Sequence, residues 1–230
     1  MDKLNIIIPL YNPHPSLKEH FTESLSSLEK KLIDTDFTVI LVNDGSTKEI
    51  RQLDEVINRF ACLKYFSYPT NMGKGYAIRY GIGKENADYY FYTDVDFPFG
   101  DDVILQAYQE LKRSNANLVL GVRDKNYFRS LPVKRKIISF LLRKYSSMIT
   151  GYKLTDTQAP LKGMDNRARQ VLINSKINGF LFDFEFLHNS LKQHLTYRLV
   201  SLTPRQGLVF TNFSFKILKR EFVNFLRLIF

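Results

Sequence analysis

Two carboxylates, Asp94 and Asp96, stand one residue apart where an aromatic run, Tyr89-Tyr90-Phe91-Tyr92-Thr93, stops. A buried strand ending in paired acids puts two like charges at the mouth of an apolar element, and each raises the pKa of the other unless a cation lies between them. The simplest such cation is a divalent metal held by carboxylate oxygens, with substrate phosphates completing its shell. Acids also favour the first turn of a helix, and a helix follows. Pro98 and Gly100 separate the pair from that helix, however, and Asp101-Asp102 already occupy its start, so the metal reading is preferred. Phe97 is expected to wall either the pocket or the core.

Other polar clusters also follow apolar runs. Asn43-Asp44-Gly45-Ser46-Thr47 comes after the β-branched segment 37–42; its residue types make an ordinary turn, and its position makes Asp44 an acceptor for the N–H groups of a nucleotide base. Gly73 and Gly75 flank Lys74 ahead of a helix, which lets backbone N–H groups approach phosphates while Lys74 adds charge. The spacing is not that of a P-loop, and no G-x-G-x-x-G follows the first strand. Asp156 and Gln158 form a polar pair that alternatively caps a turn. Asp183 and Glu185, two apart, cannot share a helix face, and Asp183 is alternatively an N-cap. His14, His20, His188 and His194 form no ligand cluster.

The elements that must position these groups follow from periodicity. Strands are predicted at 4–9 (ended by Pro9 and Pro13), 37–42, 63–68, 89–93, 117–122, 159–164 and 197–202. Helices are predicted at 16–32, 49–60, 76–84, 101–113 and 183–195, with 71–75 as a loop. Strand and helix alternate four times, which implies an α/β fold with parallel βαβ units and ligand sites at the carboxyl ends of the strands. Asp44, Gly73, Asp94 and Arg123 all fall there.

A chain of 230 residues, 44% hydrophobic, buries a core as one domain, read here as two halves, 1–122 and 123–230. The one cysteine, Cys62, excludes an intramolecular disulfide and a cysteine zinc cage, and a buried free thiol is the expected role. The net charge of +10 favours an anionic partner: nucleic acid, an acidic membrane surface or a phosphorylated substrate. No nucleic-acid-binding module is recognised. The N-terminus lacks a signal-peptide pattern, and no apolar window is long enough to span a bilayer. Residues 123–144 interleave Arg123, Arg129, Arg135 and other cations with apolar side chains, and 215–230 does the same around Lys216; such segments cover a core edge or meet a membrane.

Taken together, these residues resemble an inverting family 2 glycosyltransferase with the GT-A fold, over nearly the whole chain. Pro9-Leu10-Tyr11-Asn12 resembles the opening P-x-Y-N, Asp44-Gly45-Ser46 the base-reading D-G-S, Asn71-Met72-Gly73-Lys74-Gly75 the N-x-G-x-G, and Asp94-Val95-Asp96 the D-x-D. Asp156-Thr157-Gln158 with Lys162, Phe182-Asp183-Phe184-Glu185, Gly121-Val122-Arg123 and Ser214-Phe215-Lys216 are similar to segments of the branch that makes dolichyl-phosphate or polyprenyl-phosphate glucose and mannose. Pro98 stands where that branch often has a metal-assisting glutamine, and Ala159-Pro160-Leu161 replaces its C-G-F.

The resemblance implies a Rossmann-like, mostly parallel sheet and a nucleotide diphosphate sugar donor. The base is held by Asp44 with Pro9, Tyr11 and Asn12. The remainder of the donor lies against Gly73, Lys74 and Gln158, and a Mg²⁺ or Mn²⁺ ion is held by Asp96 and Asp94, Asp94 also lying near the ribose. A hydroxyl acceptor requires a general base, for which Asp156 and Asp183 are the candidates. A polyprenyl phosphate acceptor requires none, and Arg123, Arg129, Arg135 and Lys216 would then hold phosphates. The resemblance implies a peripheral protein on the cytoplasmic face of a membrane and is compatible with an integral-membrane or homo-oligomeric partner. The alternatives are a saccharide-hydroxyl transferase of cell-surface polysaccharide synthesis and a catalytically silent nucleotide-sugar- or lipid-binding relative.

Overall fold

The structure, a computed structural model, describes residues 1–14, 16–124, 127, 156, 159–179 and 181–205. The run Leu-Asn-Ile-Ile-Ile lies in β1 (Lys3–Leu10), which is buried throughout 4–8 because both faces of the sheet are covered by helices. β2 (Asp36–Asp44) and β4 (Tyr89–Tyr92) flank it in parallel, and β3 (Leu63–Tyr68) pairs with β2. Beyond β4 come β6 (Lys162–Asp165), β5 (Leu118–Arg123) and β7 (Tyr197–Leu202), giving one seven-stranded sheet in the order β3-β2-β1-β4-β6-β5-β7. β6 runs antiparallel to both neighbours, and the other pairings are parallel.

The period-2 alternation of β1, β2 and β4 sends side chains into two cores. Leu4, Ile6 and Ile8, Val39 and Leu41, and Phe91 pack on one face with α1 (Leu17–Lys31), α2 (Asp54–Arg59) and α4 (Asp102–Ser114). Ile7, Ile40, Val42, Tyr90 and Tyr92 pack on the other with α3 (Lys74–Ile82), α5 (Asn166–Ile173) and α6 (Phe182–Lys192). Tyr92 is therefore presented to α6 as its strand ends.

Several expectations need correction. β1 runs through Pro9. Thr93 N–H donates to the Ile7 carbonyl, so the missing Pro9 N–H, two residues on, faces the same side as Ile7, where β4 has already ended at Tyr92. α3 begins at Lys74, so Lys74 and Gly75 lie in a helix rather than a loop. The segment 49–60 shortens to a 3₁₀ turn (Arg51–Leu53) and α2. Helix α5 was not expected; the Asp165 carboxylate caps it by accepting from Ala168 N–H at 2.8 Å. Asp183 lies inside α6, after Leu181, and is not its N-cap. Cys62 is only partly buried, and burial with the nearby Glu29 pushes its thiol pKa up to about 12. Among the described residues, no helix is long and apolar enough to cross a membrane.

Candidate active site

The carboxyl ends of β2 and β3 lie beside the start of α3. Asp44, 4% exposed, is the last residue of β2. Its carboxylate accepts from Met72 N–H at 2.7 Å, Gly73 N–H at 3.0 Å, Asn71 Nδ2 at 3.0 Å and the Tyr68 hydroxyl at 2.9 Å. Asp44 thus ties the 71–73 loop to the sheet, and burial together with this acceptor pushes the Tyr68 pKa up. Asn12 acts similarly: its Oδ1 accepts from Thr47 N–H at 2.9 Å and Lys48 N–H at 3.0 Å, and its own N–H donates to Ser46 Oγ at 2.9 Å. Tyr11 and Met72 are exposed there. The two motifs therefore meet as one hydrogen-bonded rim.

Gly73 adopts φ +100°, and a Cβ there would lie 2.5 Å from the Asn178 carbonyl. Gly75 is equally confined, because its Cβ would lie 2.5 Å from Phe182 Cβ. Both glycines allow the 175–179 segment to close on the start of α3, where Gly75 N–H donates to Asn178 O at 2.8 Å. Glu185 holds that segment by accepting from Lys176 N–H at 2.9 Å and Ile177 N–H at 2.7 Å. Arg79 adds bonds to Ile177 O at 2.9 Å and to Asn178 Oδ1, and its burial lowers the guanidinium pKa.

At the end of β4, Asp94 Oδ1 lies 2.6 Å from Lys74 Nζ. Asp96 opens to solvent at the cleft, yet protein crowds its carboxyl from behind. That desolvation, followed by the Asp94 charge, raises its pKa. Burial works against the Lys74 charge, but Asp94 and then Asp183 outweigh it and raise its pKa. Asp96, open and with an unfavourable charge, and Asp94, part-exposed and paired with Lys74 through Oδ1 only, fit a shared divalent cation. Among the described residues no third acid, histidine or cysteine joins them as a ligand set, so diphosphate oxygens and water would complete the shell.

Asp183 and Glu185 are both buried but divided in use, as their spacing on a helix requires. Asp183 Oδ1 accepts from Tyr92 OH and from Lys162 Nζ, the latter at 2.9 Å. Lys162 is fully buried. Desolvation lowers its pKa while Asp183 opposes the shift, and Nζ also donates to Ala159 O at 2.5 Å. Asp156 receives Arg123 bidentately, at 2.7 Å from Nε and 2.5 Å from Nη2, with Arg123 N–H at 3.0 Å. Arg123 also donates to Tyr127 OH at 3.1 Å; although burial opposes its charge, Asp156 raises its pKa.

The structure therefore assembles Asp44, Gly73, Lys74, Asp94, Asp96, Asp183 and, further along the same strand ends, Arg123 and Asp156. Gln158, Arg129, Arg135 and Lys216 lie outside the described residues. Tyr92 and Arg79 carry no mark in the sequence, while Lys162 and Glu185 are marked only as members of the resembling segments, with no role of their own. The signal for Lys162 is its place four residues after Gln158 in the segment that resembles the polyprenyl-phosphate branch. A groove of ≈ 340 Å³ between α1 and α2, lined by Lys18, Glu55 and Arg59 among others, shares no residue with this cleft.

A mostly parallel sheet flanked by helices, with an acid pair and a glycine-bearing helix start at its carboxyl ends, defines the GT-A class. The solved glucosyl-3-phosphoglycerate synthase from Mycobacterium tuberculosis, crystallised with Mn²⁺, UDP and glucosyl-3-phosphoglycerate, superposes with a TM-score of 0.66 at 15% identity, covering 95% of this chain and 75% of that one. Staphylococcus aureus TarS residues 1–349 give 0.54 at 18% identity, covering 88% and 59%. These likenesses show the fold. Residues 5–173 match the family model of Glycosyl transferase family 2, and the chain belongs to that family. It is 25% identical over 195 residues to a dolichyl-phosphate beta-glucosyltransferase of Trichomonas vaginalis, covering 80% of this chain and 60% of the relative. To the Saccharomyces cerevisiae dolichyl-phosphate beta-glucosyltransferase it is 23% identical over 214 residues, covering 84% and 64%. The chain thus spans 60% of the length of the Trichomonas relative.

Proposed function

We propose that this chain transfers a sugar, with inversion, from a UDP- or GDP-sugar to a polyprenyl phosphate, using Mg²⁺ or Mn²⁺ on Asp94 and Asp96. The observation that carries the acceptor class is that both candidate bases are committed. Asp156 is clamped by Arg123 at 2.5 and 2.7 Å, and Asp183 by Lys162 at 2.9 Å. Either would have to leave a buried cation to take a proton from a hydroxyl. A phosphate monoester is already an anion at neutral pH and needs no such base. The dolichyl-phosphate glucosyltransferase relatives support the same choice.

In this reading residues 1–122 form the donor half and 123–230 the acceptor half. Tyr11 and the rim tied by Asp44 and Asn12 take the base, and Gly73 with the start of α3 faces the diphosphate. Lys74 shares its charge between Asp94 and the diphosphate as the glycosidic bond breaks, a case of electrostatic stabilisation by a preorganised group. The bound ion would supply charge neutralisation of the leaving diphosphate. Gln158, although in the acceptor half of the sequence, would also contact the donor, while Arg129, Arg135 and Lys216 would hold lipid phosphate and bring the basic segments to the cytoplasmic face of a membrane.

The second reading is transfer to a saccharide hydroxyl. What favours it is that Tyr92 OH and Lys162 Nζ both donate to the same oxygen of Asp183, Oδ1, rather than to Oδ2, so a base role would rest on Oδ2. Incubating the protein and membranes with Mn²⁺ or Mg²⁺ and labelled UDP-glucose, UDP-N-acetylglucosamine or GDP-mannose separates the two. Label in organic-extractable, mild-acid-labile lipid is expected; label only in water-soluble glycan would sink the lipid reading. Donor binding without turnover would point to a silent relative.

A further inference from the structure

Asp96 belongs to a tight loop whose shape is held from outside the donor half. Phe97 N–H donates to Asp94 O at 3.1 Å and Gly100 N–H to Phe97 O at 2.9 Å, so 94–100 folds as two successive turns. Phe97 sits at φ +43° and Gly100 at +80°. A phenylalanine in the left-handed region is strained and persists only where its surroundings fix it. On one side the fixing is apolar: the Phe97 ring is 1% exposed and packs 6.2 Å from Phe21. On the other side it is Arg205. Its N–H donates to Pro98 O at 3.0 Å, and its guanidinium reaches Asp101 Oδ1 at 2.9 Å.

Asp101 is 4% exposed and also receives Lys31 Nζ at 2.6 Å, so it is a fixed anchor between α1 and the segment that follows β7. A Cβ on Gly100 would lie 3.5 Å from Arg205 Nε, so the side chain runs closely over the loop. In sheet order β7 is separated from β4 by β6 and β5. Residues 203–205 therefore return across the strand ends to reach the acid pair's loop. Pro98 contributes no side-chain ligand, so the reach of Asp96 depends on the loop backbone.

We infer that Arg205 is a positioning residue: its guanidinium latches Asp101, beside the backbone bond from its N–H to Pro98 O, and so sets the loop geometry that lets Asp94 and Asp96 take a divalent cation together. This rests on the metal-dependent reading above. The test uses the full chain with Arg205→Ala and Arg205→Lys, following amide exchange of peptides covering 94–101 and Mn²⁺ uptake by electron paramagnetic resonance of the free ion.

Losing the charge-assisted latch is expected to speed exchange at Phe97 and Gly100 roughly tenfold and to weaken Mn²⁺ binding roughly fivefold to tenfold, with Arg205→Lys intermediate. Unchanged exchange overturns the latch. Faster exchange with Mn²⁺ affinity within a factor of two of the wild type overturns the positioning of the acid pair. A wild-type chain that takes up no Mn²⁺ overturns the metal-dependent reading and this positioning role with it, and the exchange result then bears on the latch alone. Should Arg205→Ala fail to fold, Arg205→Gln removes the charge while leaving the Lys31–Asp101 pair in place and is held to the same two outcomes.

Discussion

Lys74 Nζ lies 2.6 Å from Asp94 Oδ1, so the first residue of α3 neutralises the first acid of the β4 end. This pair opens a line of alternating charges across the cleft. Asp183 acts on Lys74, Lys162 binds Asp183, Asp156 acts on Lys162, and Arg123 clamps Asp156. In the proposed reaction a metal diphosphate would join that line at its Asp94 end.

Removing the Lys74 charge should therefore weaken donor binding. A charge-assisted contact contributes about 1.5–3 kcal/mol, which is a loss of roughly tenfold or more in nucleotide affinity for Lys74→Met. Titration calorimetry with UDP and GDP in the presence of Mn²⁺ reads this directly. An affinity matching the wild type for both nucleotides would take Lys74 out of the donor site.

Asp96 should reveal itself through pH. Its folded pKa is raised, by burial first and then by Asp94, so the folded, metal-free chain keeps this proton to higher pH than the unfolded chain does. The ionised carboxylate thus costs stability. That cost is fully present above the folded pKa and disappears as pH falls through it toward the ordinary carboxylate range. Asp96→Asn should melt higher than the wild type at pH 7 without metal, with the gap closing in acid, while turnover drops roughly 100-fold or more. A lower melting temperature at pH 7, or a gap that widens in acid, contradicts the assignment.

Much of this was legible in the residues. β3 at 63–68 and β7 at 197–202 have the expected bounds, because short β-branched or aromatic runs between turn residues leave little choice. The acid pair was legible for the opposite reason: nothing about an apolar strand calls for Asp94 and Asp96. What escaped depends on partners distant in sequence. Strand direction is set by the connection, not by composition, so the antiparallel run of β6 left no mark in Lys-Gly-Met-Asp. Lys162 is marked by its motif, but nothing near it in sequence shows its burial; it is fully buried because Asp183, in α6, meets it. Arg205 has meaning only beside Pro98 and Asp101.

Gly75→Ala sets two magnitudes against each other. In a helix the alanine gains about 0.8–1.0 kcal/mol over glycine. The new Cβ, however, would lie 2.5 Å from Phe182 Cβ and 2.7 Å from Ile177 O, where the Ile177 carbonyl is backbone and cannot swing aside. Overpacking of this kind costs about 1–3 kcal/mol, so the variant should be less stable in urea unfolding, with weaker donor binding as the 175–179 segment lifts from α3. A stabilised variant would show that this segment does not close on the helix.

The Lys162–Asp183 pair allows a test of structure against chemistry. Removing one member leaves a buried, uncompensated charge, so Lys162→Met should lose roughly 3–5 kcal/mol in urea unfolding. Replacing both, Lys162→Met with Asp183→Leu, removes both charges but orphans the buried Tyr92 hydroxyl and the Ala159 carbonyl, a residual penalty of about 1–3 kcal/mol for each. Adding Tyr92→Phe should then remove the hydroxyl's share, leaving the triple variant about 1–3 kcal/mol below the wild type for the Ala159 carbonyl. If that triple variant keeps lipid-linked transfer within a factor of a few, Asp183 serves packing and charge balance and the acceptor carries its own anion. If it folds cooperatively, still binds donor and makes no product, Asp183 takes part in the chemistry, and the hydroxyl-acceptor reading gains the ground that the lipid reading loses.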